Sequence, residues 1–389
     1  MSLTMEIEET KADKPAGGGE QTKLPAVGPA PTYEGDFVLD GHLPLECGRT
    51  LAQPTLHYAV YGRLNAVRDN AVLVCHALSG SAQVGTWWPE LFAPGALLSL
   101  DRDCVICINL LGSCYGSTGP ASLDPETGKF YGPDFPLVSV RDNVHAQAQL
   151  LTSLGIQKLR LVLGGSIGGM QALEWAMQYP ERVERAIIVG VAPLPAMGLA
   201  LNHLQRQAIQ QDPAWRGGRY PNLAQPEQGL ALARQIAMLS YKSPILFDER
   251  FGRKPNRNGE DPWALDFDGG GLTGGRFDIA GYLDEQGQRF IHRFDANSYL
   301  AILRLMDTWD PLRGYSSARD AFSRIRARLT VIGITSDLLF PPEIVRNFAM
   351  TIQAAGADLT YKEMPSSHGH DAFLAEQSEL LKLLAVSDV

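Results

Sequence analysis

The chain has 389 residues, of which 45% are apolar and 20% charged, and it carries a net charge of -9. That balance is ordinary for a globular protein, and the excess of acidic groups gives no general electrostatic reason to bind nucleic acid. The length suffices for one large domain with an insertion, and small molecules are the expected partners, with no nucleic acid and no membrane.

Residues 1–32 are rich in Gly, Pro, Lys and Glu and lack the apolar content that offsets ordering entropy, so a disordered tail is expected there. The first fifteen residues are acidic where a secretory signal would be basic and then apolar, and no run of 18 apolar residues occurs anywhere. A cytoplasmic location is therefore expected. Cys47, Cys75, Cys104, Cys107 and Cys114 are odd in number and set among apolar residues, which predicts reduced, buried thiols rather than a disulfide framework.

From Val38 onward, short apolar runs alternate with helical patterns. AVLVCHA (71–77), CVICINLL (104–111), LRLVLGG (159–165), AIIVGVA (186–192) and LTVIGITS (329–336) each read as a strand buried on both faces, and LTYKEM (359–364) follows as another. The alternation predicts an α/β fold with a mainly parallel sheet flanked by helices. Between 197 and 309 the strand pattern gives way to helical stretches such as EQGLALARQIAMLSY and NSYLAILRLMDTW. A helical cap over 197–309 is expected, interrupting a core made of 33–196 and 310–389. Tyr299, Ile302, Leu303 and Met306 fall on one helical face, which must pack against something. Gly269 to Gly275 (GGGLTGG) follows no strand and is not followed by Lys-Ser or Lys-Thr, so it reads as a loop rather than a phosphate cradle.

The chemistry is signalled at Gly164-Gly165-Ser166-Ile167-Gly168, a G-x-S-x-G. With 39 glycines the pentapeptide alone is weak, but here it follows a buried strand and opens a helix that ends before Pro180. Such a turn lifts a serine Oγ above the sheet. A serine is a poor nucleophile at neutral pH, so it needs a base and an orienting carboxylate, in this fold in the chain order Ser, Asp or Glu, His. Asp337 lies just beyond one strand, and His368 and His370 lie beyond the next. Spacing does not choose between the two histidines. The order and strand-end positions predict an α/β-hydrolase fold with a Ser-Asp-His triad. The oxyanion hole needs two backbone donors: Ile167 supplies one, and Ala77 or Leu78, in the loop after AVLVCHA, the other. His76 in that loop reads as structural. Cys104 and Cys107 form a C-x-x-C, yet three residues apart on a strand they face opposite ways and share no metal. Cys114 has no nearby base, which suggests a structural or pocket-lining role.

The chain resembles the homoserine O-acyltransferase family, the acetyltransferases and succinyltransferases of methionine biosynthesis. The resemblance runs through HALSG (76–80), NLLGSCYGSTGP (109–120), GKFYGPDFP (128–136), GGSIGGMQALEWA (164–176), LARQIAMLSY (232–241), RFDANSYL (293–300), SDLLFP (336–341) and GHDAFL (369–374). It implies ping-pong transfer from an acyl-CoA to the hydroxyl of L-homoserine through an acyl-Ser166, with no bound cofactor and acetyl-CoA as co-substrate. It makes Asp337 the orienting acid, His370 the base, Leu78 and Ile167 the oxyanion donors, and Arg234 and Asp371 the substrate ligands. A homodimer assembled through the cap is also implied.

Arg234 is the one charged residue within GLALARQIAMLSY (229–241), so it should want an anion, either a substrate carboxylate or an internal one. Asp371 could equally cap the helix that starts after it. Ile167 stands where many relatives carry methionine, which leaves a backbone donor unchanged. A succinyl donor would need a further cation in the acyl pocket, and none is identifiable from pattern, which favours acetyl-CoA. Serine as acceptor differs from homoserine by one methylene, a difference of about 1–3 kcal/mol. An esterase or thioesterase would use the same three residues.

Overall fold

The apolar runs become strands in a computed structural model that describes residues 28–220, 224–263 and 275–385. The strands are β1 (Tyr33–Val38), β2 (His42–Pro44), β3 (Thr50–Ala52), β4 (Thr55–Tyr61), β5 (Ala71–Cys75), β6 (Cys104–Ile108), β7 (Leu161–Gly165), β8 (Arg185–Val189), β9 (Arg328–Ile334) and β10 (Leu359–Met364). Eight of them form one sheet in the order β1-β4-β6-β5-β7-β8-β9-β10, while β2 and β3 pair separately. From β6 to β10 every neighbouring pair in that sheet is parallel; only β1 and β4 run against their neighbours. Parallelism puts the carboxyl ends of β5, β7, β8, β9 and β10 along one edge, where loops can converge on a ligand.

The helices are α1 (Val84–Trp87), α2 (Val140–Ser153), α3 (Ile167–Gln178), α4 (Ala196–Gln211), α5 (Glu227–Tyr241), α6 (Pro244–Arg250), α7 (Asp278–Ile291), α8 (Ala296–Thr308), α9 (Ala318–Phe322), α10 (Pro342–Ala354), α11 (Ala372–Ala375) and α12 (Gln377–Ala385). α2 opens with a reciprocal cap: the Ser139 side chain accepts from the Asp142 N–H, and the Asp142 carboxylate accepts from the Ser139 N–H. Helices cover the parallel strands on both faces. One apolar layer contains Val144 and Leu151 of α2, Met170 and Trp175 of α3, and Val345 and Ile352 of α10. The other contains Trp88, Leu91, and Leu380 and Leu384 of α12. Cys104 belongs to the first layer and Cys107 to the second, so the two thiols face opposite sides of the sheet as the strand period requires.

Between β8 and β9 the described residues form the six α-helices α4 to α9. Tyr299, Ile302, Leu303 and Met306 of α8 are all buried, each side chain contributing roughly 1.5–3 kcal/mol by leaving water. α8 is started by Asp295, whose carboxylate accepts from the Ser298 N–H. Among the described residues no helix is long and apolar enough to cross a membrane.

Three expectations change. The tail was expected to reach residue 32, but residues 28–32 lie on the fold: the Thr32 N–H donates to the Val60 carbonyl at 2.7 Å, extending the β1–β4 ladder. Residues 1–27 lie outside the described residues, as does Gly269–Gly274 of the glycine-rich interval. The antiparallel strands β1 to β4 were not anticipated, because β1 and β2 are exposed along much of their length and lack a continuous apolar run. Of the cysteines, Cys75, Cys104 and Cys107 are buried, but Cys47 is exposed and Cys114 half-buried.

Candidate functional site

Ser166 sits between β7 and α3 with φ 57° and ψ -133°, a conformation that L-residues avoid and that costs on the order of 1–3 kcal/mol. The glycines around it explain how the strain is tolerated. A Cβ at Gly164 would lie 2.8 Å from the Cys75 carbonyl oxygen, and one at Gly168 would overlap that same oxygen. The turn therefore packs directly on the end of β5. The Ser166 N–H donates to the Val189 carbonyl at 2.9 Å, docking the turn on β8 as well. Ile167 is the first residue of α3, so its N–H has no acceptor within the helix.

Asp337 and His370 meet beside this turn. The Asp337 Oδ1 accepts from the Leu339 and Phe340 N–H groups at 2.8 and 2.9 Å, which fixes the carboxylate. Its Oδ2 lies 2.6 Å from His370 Nδ1, and both residues are buried, at 3% and 2% exposure. An ionised carboxylate only accepts, so Nδ1 carries the proton and Nε2 the lone pair. Nε2 is buried and has no hydrogen-bond partner among the described residues, so the Ser166 hydroxyl is not bonded to it here. The two groups nonetheless come from the same edge of the sheet, beyond the ends of β7 and β10, with β8 and β9 between them. Gly190, which follows the Val189 that holds the Ser166 N–H, lies so close that a Cβ there would be 3.3 Å from His370 Cε1 and 3.4 Å from Asp337 Oδ2. The rings of Phe340, Phe373 and Tyr241 surround the imidazole, with centroids 5.3, 5.7 and 6.0 Å away. Burial pulls the His370 pKa down, but the charge and hydrogen bond of Asp337 outweigh it and the net shift is upward.

Spacing left His368 and His370 equivalent, and the fold separates them. His368 Nε2 accepts from Lys242 Nζ at 2.8 Å, and burial together with the Lys242 charge lowers its pKa. His76 is held as well: Nδ1 donates to the Ala77 carbonyl at 2.8 Å and Nε2 accepts from the Leu110 N–H at 3.2 Å. Burial brings its pKa down to about 4, so it stays neutral and braces the 76–81 loop rather than acting as a base. That loop abuts the start of α3, since a Cβ at Gly168 would be 3.0 Å from the His76 carbonyl oxygen. The buried Leu78 thus lies in the loop that borders Ile167.

The helical insert brings further charged groups to this edge, some of them not foreseen from pattern. Arg234 on α5 is half-buried, its guanidinium 5.5 Å from the Tyr241 ring centroid and 5.1 Å from that of Phe290. Among the described residues no carboxylate lies within 4 Å of it, so the internal partner that sequence allowed is not present. Arg234 lines a cleft of about 450 Å³ together with Ala77, Ser79, Trp87, Tyr115 and Arg293. Asp371 occupies the cap position of α11 without capping it; its carboxylate instead lies 3.1 Å from Lys242 Nζ. Lys242 and Arg293 were missed as site residues, although Lys242 directly follows the motif LARQIAMLSY and Arg293 is the first residue of RFDANSYL. Tyr241 carries its hydroxyl's pKa up to about 12 through burial and stays a neutral donor beside Arg234 and His370.

Residues 70–376 match the family described as alpha/beta hydrolase fold. The chain is 46% identical over 345 residues to the homoserine O-acetyltransferase of Symbiobacterium thermophilum, spanning 86% of this chain and 88% of that protein. It is 42% identical over 348 residues to the homoserine O-succinyltransferase of Alkalilimnicola ehrlichii, spanning 86% and 89%. Among solved structures it resembles the homoserine O-acetyltransferase from Bacillus anthracis, with a TM-score of 0.83 and 28% identity over 90% of this chain and 96% of that one.

Proposed function

Because the chain belongs to the homoserine O-acyltransferase family of the alpha/beta hydrolase fold, we propose that it transfers the acetyl group of acetyl-CoA to the side-chain hydroxyl of L-homoserine. The transfer runs in two steps through an acyl-Ser166 and would serve methionine biosynthesis. What carries this reading is one juxtaposition: a buried His370 held by Asp337 with its Nε2 unclaimed, beside a cleft whose Arg234 has no carboxylate.

In the first step Ser166 Oγ attacks the thioester carbonyl carbon while His370 Nε2 takes its proton. The carbonyl oxygen becomes anionic and is stabilised by the Ile167 and Leu78 N–H groups. Collapse expels the CoA thiolate, which takes the proton back from the imidazolium. Homoserine then enters, its carboxylate on Arg234 and its ammonium toward Asp371, and the same histidine removes its hydroxyl proton. Attack on the acyl-serine releases O-acetylhomoserine and restores Ser166. The proton moves once in each direction per step, so Asp337 orients and stabilises the imidazolium without titrating.

The three residues by themselves would serve an esterase or thioesterase equally well. Arg234 supports the transferase, because a guanidinium without an internal partner makes a bidentate, charge-assisted pair with an amino-acid carboxylate. The donor and acceptor have near alternatives: a relative at 42% identity bears the succinyltransferase name, and serine is one methylene shorter than homoserine. The inserted helices support a homodimer, since Met197 and Leu204 of α4 and Leu232 and Leu239 of α5 expose 48–66% of their surface on two helices packed together. Leu232→Glu with Leu239→Glu should then halve the mass seen by light scattering.

Intact-protein mass spectrometry after brief mixing with acetyl-CoA or succinyl-CoA alone tests the covalent step. An acetyl adduct on Ser166 that homoserine discharges to its O-acetyl ester is the expected result. Release of CoA thiol at one rate with and without homoserine would overturn the transferase reading.

A further inference from the structure

We propose that Arg293 is the residue that receives an anionic group of the acyl donor, forming with Arg234 a two-cation cleft beside the oxyanion loop. The inference rests on the acyltransfer reading above and deepens it.

Arg293 follows α7, and its guanidinium lies 5.1 Å from the Phe290 ring centroid, the same ring and distance that Arg234 uses. Both line the cleft of about 450 Å³ that Ala77, Ser79, Gly80 and Ser81 also line. Arg293 Nη1 donates to the Ser79 carbonyl at 3.0 Å and to the Tyr115 hydroxyl at 2.7 Å, and Nη2 reaches Ser79 Oγ at 3.4 Å. These acceptors are neutral. They fix the plane of the fork without compensating its charge, and among the described residues no carboxylate lies within 4 Å of Arg293. Two guanidinium groups sharing one ring repel each other, and an anion entering the cleft that both line relieves that repulsion. A homoserine carboxylate can neutralise one. Arg234 is the half-buried member and Arg293 the exposed one, so the amino acid takes Arg234 and the outer charge is left for the other substrate.

The other substrate brings two kinds of anion, the phosphates of the CoA moiety and, in a succinyl donor, the terminal carboxylate of the acyl chain. Either matches a preorganised guanidinium fork. Here the structure adds what the sequence did not reveal, a second cation in the cleft beside the 77–81 loop. A role limited to bracing the loop would need only a neutral donor toward Ser79 and Tyr115, which is the property that separates the two roles experimentally.

The test compares Arg293→Gln and Arg293→Lys with the unaltered protein in four assays: KM for acetyl-CoA, KM for succinyl-CoA, kcat/KM with a neutral, phosphate-free acetyl thioester, and KM for homoserine. Expected for Arg293→Gln is a rise of about tenfold or more in donor KM, with the phosphate-free thioester and homoserine values within twofold, and partial recovery in Arg293→Lys. A loss with both CoA thioesters identifies the phosphates, and a loss confined to succinyl-CoA identifies the acyl carboxylate. Equal loss with every donor, including the phosphate-free one, would mean that Arg293 only braces the loop; a change in homoserine KM alone would assign it to the acceptor. Either result, or no change at all, overturns the proposal. Calorimetric binding of free CoA to the two variants reads the phosphate arm without turnover, so it stands apart from any failure to form acyl-Ser166 or to use homoserine.

Discussion

At the carboxyl edge of the sheet each reactive group is held by several others, whereas the charges that the inserted helices bring to the cleft are held by few. Asp337 accepts three hydrogen bonds and is 3% exposed, His370 is enclosed by three aromatic rings, and Ser166 is locked in a strained turn that two strands support. On the helical side Arg234 rests on rings alone, Arg293 bonds only neutral oxygens, and Lys242 divides itself between Asp371 and His368. The first arrangement suits groups that must keep sub-ångström geometry through bond making. The second suits groups whose charges wait for a counter-charge to arrive.

If that division is right, substitutions at the sheet edge should remove chemistry and those at the helices should alter substrate preference. The largest effect is expected for Ser166→Ala, which should abolish the acyl adduct in intact-mass measurements and lower kcat by roughly 10⁴ to 10⁶, with thermal stability little changed because alanine keeps the Cβ and with it the backbone strain. Next comes Asp337→Asn, with a fall of about 10⁴ in kcat because the imidazole loses its orientation and its stabilised cation. pH dependence sharpens this pair. The base acts when neutral, and its pKa is raised by Asp337, so acylation should rise with pH through a midpoint above 6.5; in Asp337→Asn the residual activity should rise at lower pH, because the charge that held the proton is gone. An unmoved midpoint in stopped-flow acylation would break the assignment of Asp337 as the partner that sets it.

Arg234→Met should lower kcat/KM for homoserine by about a hundredfold while leaving acylation by acetyl-CoA nearly unchanged, since one charge-assisted bidentate contact is lost. Equal loss in both half-reactions would show that the helices share in the chemistry. The smallest effect is expected at the seam between the two regions. Gly369 has φ +90°, and a Cβ there would lie 2.7 Å from the Lys242 carbonyl carbon and the Ser243 nitrogen. The Ser243 N–H also bonds the His368 carbonyl and the Asp371 N–H the Tyr241 carbonyl, so helix α5 is stitched to the histidine loop. Gly369→Ala should cost about 1–3 kcal/mol in denaturant unfolding, with a modest drop in kcat as His370 shifts.

Much of the sheet edge was legible before folding. Buried parallel strands announce themselves as continuous apolar runs, and the G-x-S-x-G turn advertises its crowding through glycines that the coordinates explain one by one, Gly164 and Gly168 against the end of β5. The N-terminal strands were less legible because β1 alternates exposed and half-buried residues, leaving no run to read. The charges of the helical side were the least legible. Arg234 stood out as a lone charge in an apolar helix, but Asp371 read as readily as a helix cap, and Lys242 and Arg293 gave no local sign of their partners.

Residue order and local periodicity were thus enough to fix which segments are the buried parallel strands, where the strained Ser166 turn falls, and that Asp337 and His370 lie beyond strand ends. Those properties depend on neighbours within a few positions, and the sequence states them directly. Tertiary structure alone decided that His370 and not His368 meets Asp337, that Lys242 reaches a histidine 126 positions away, and that Arg293 comes to bond the 77–81 loop at Ser79. Those pairings depend on how the parallel sheet and its helical insert bring distant segments to one edge, and no local pattern carries that information.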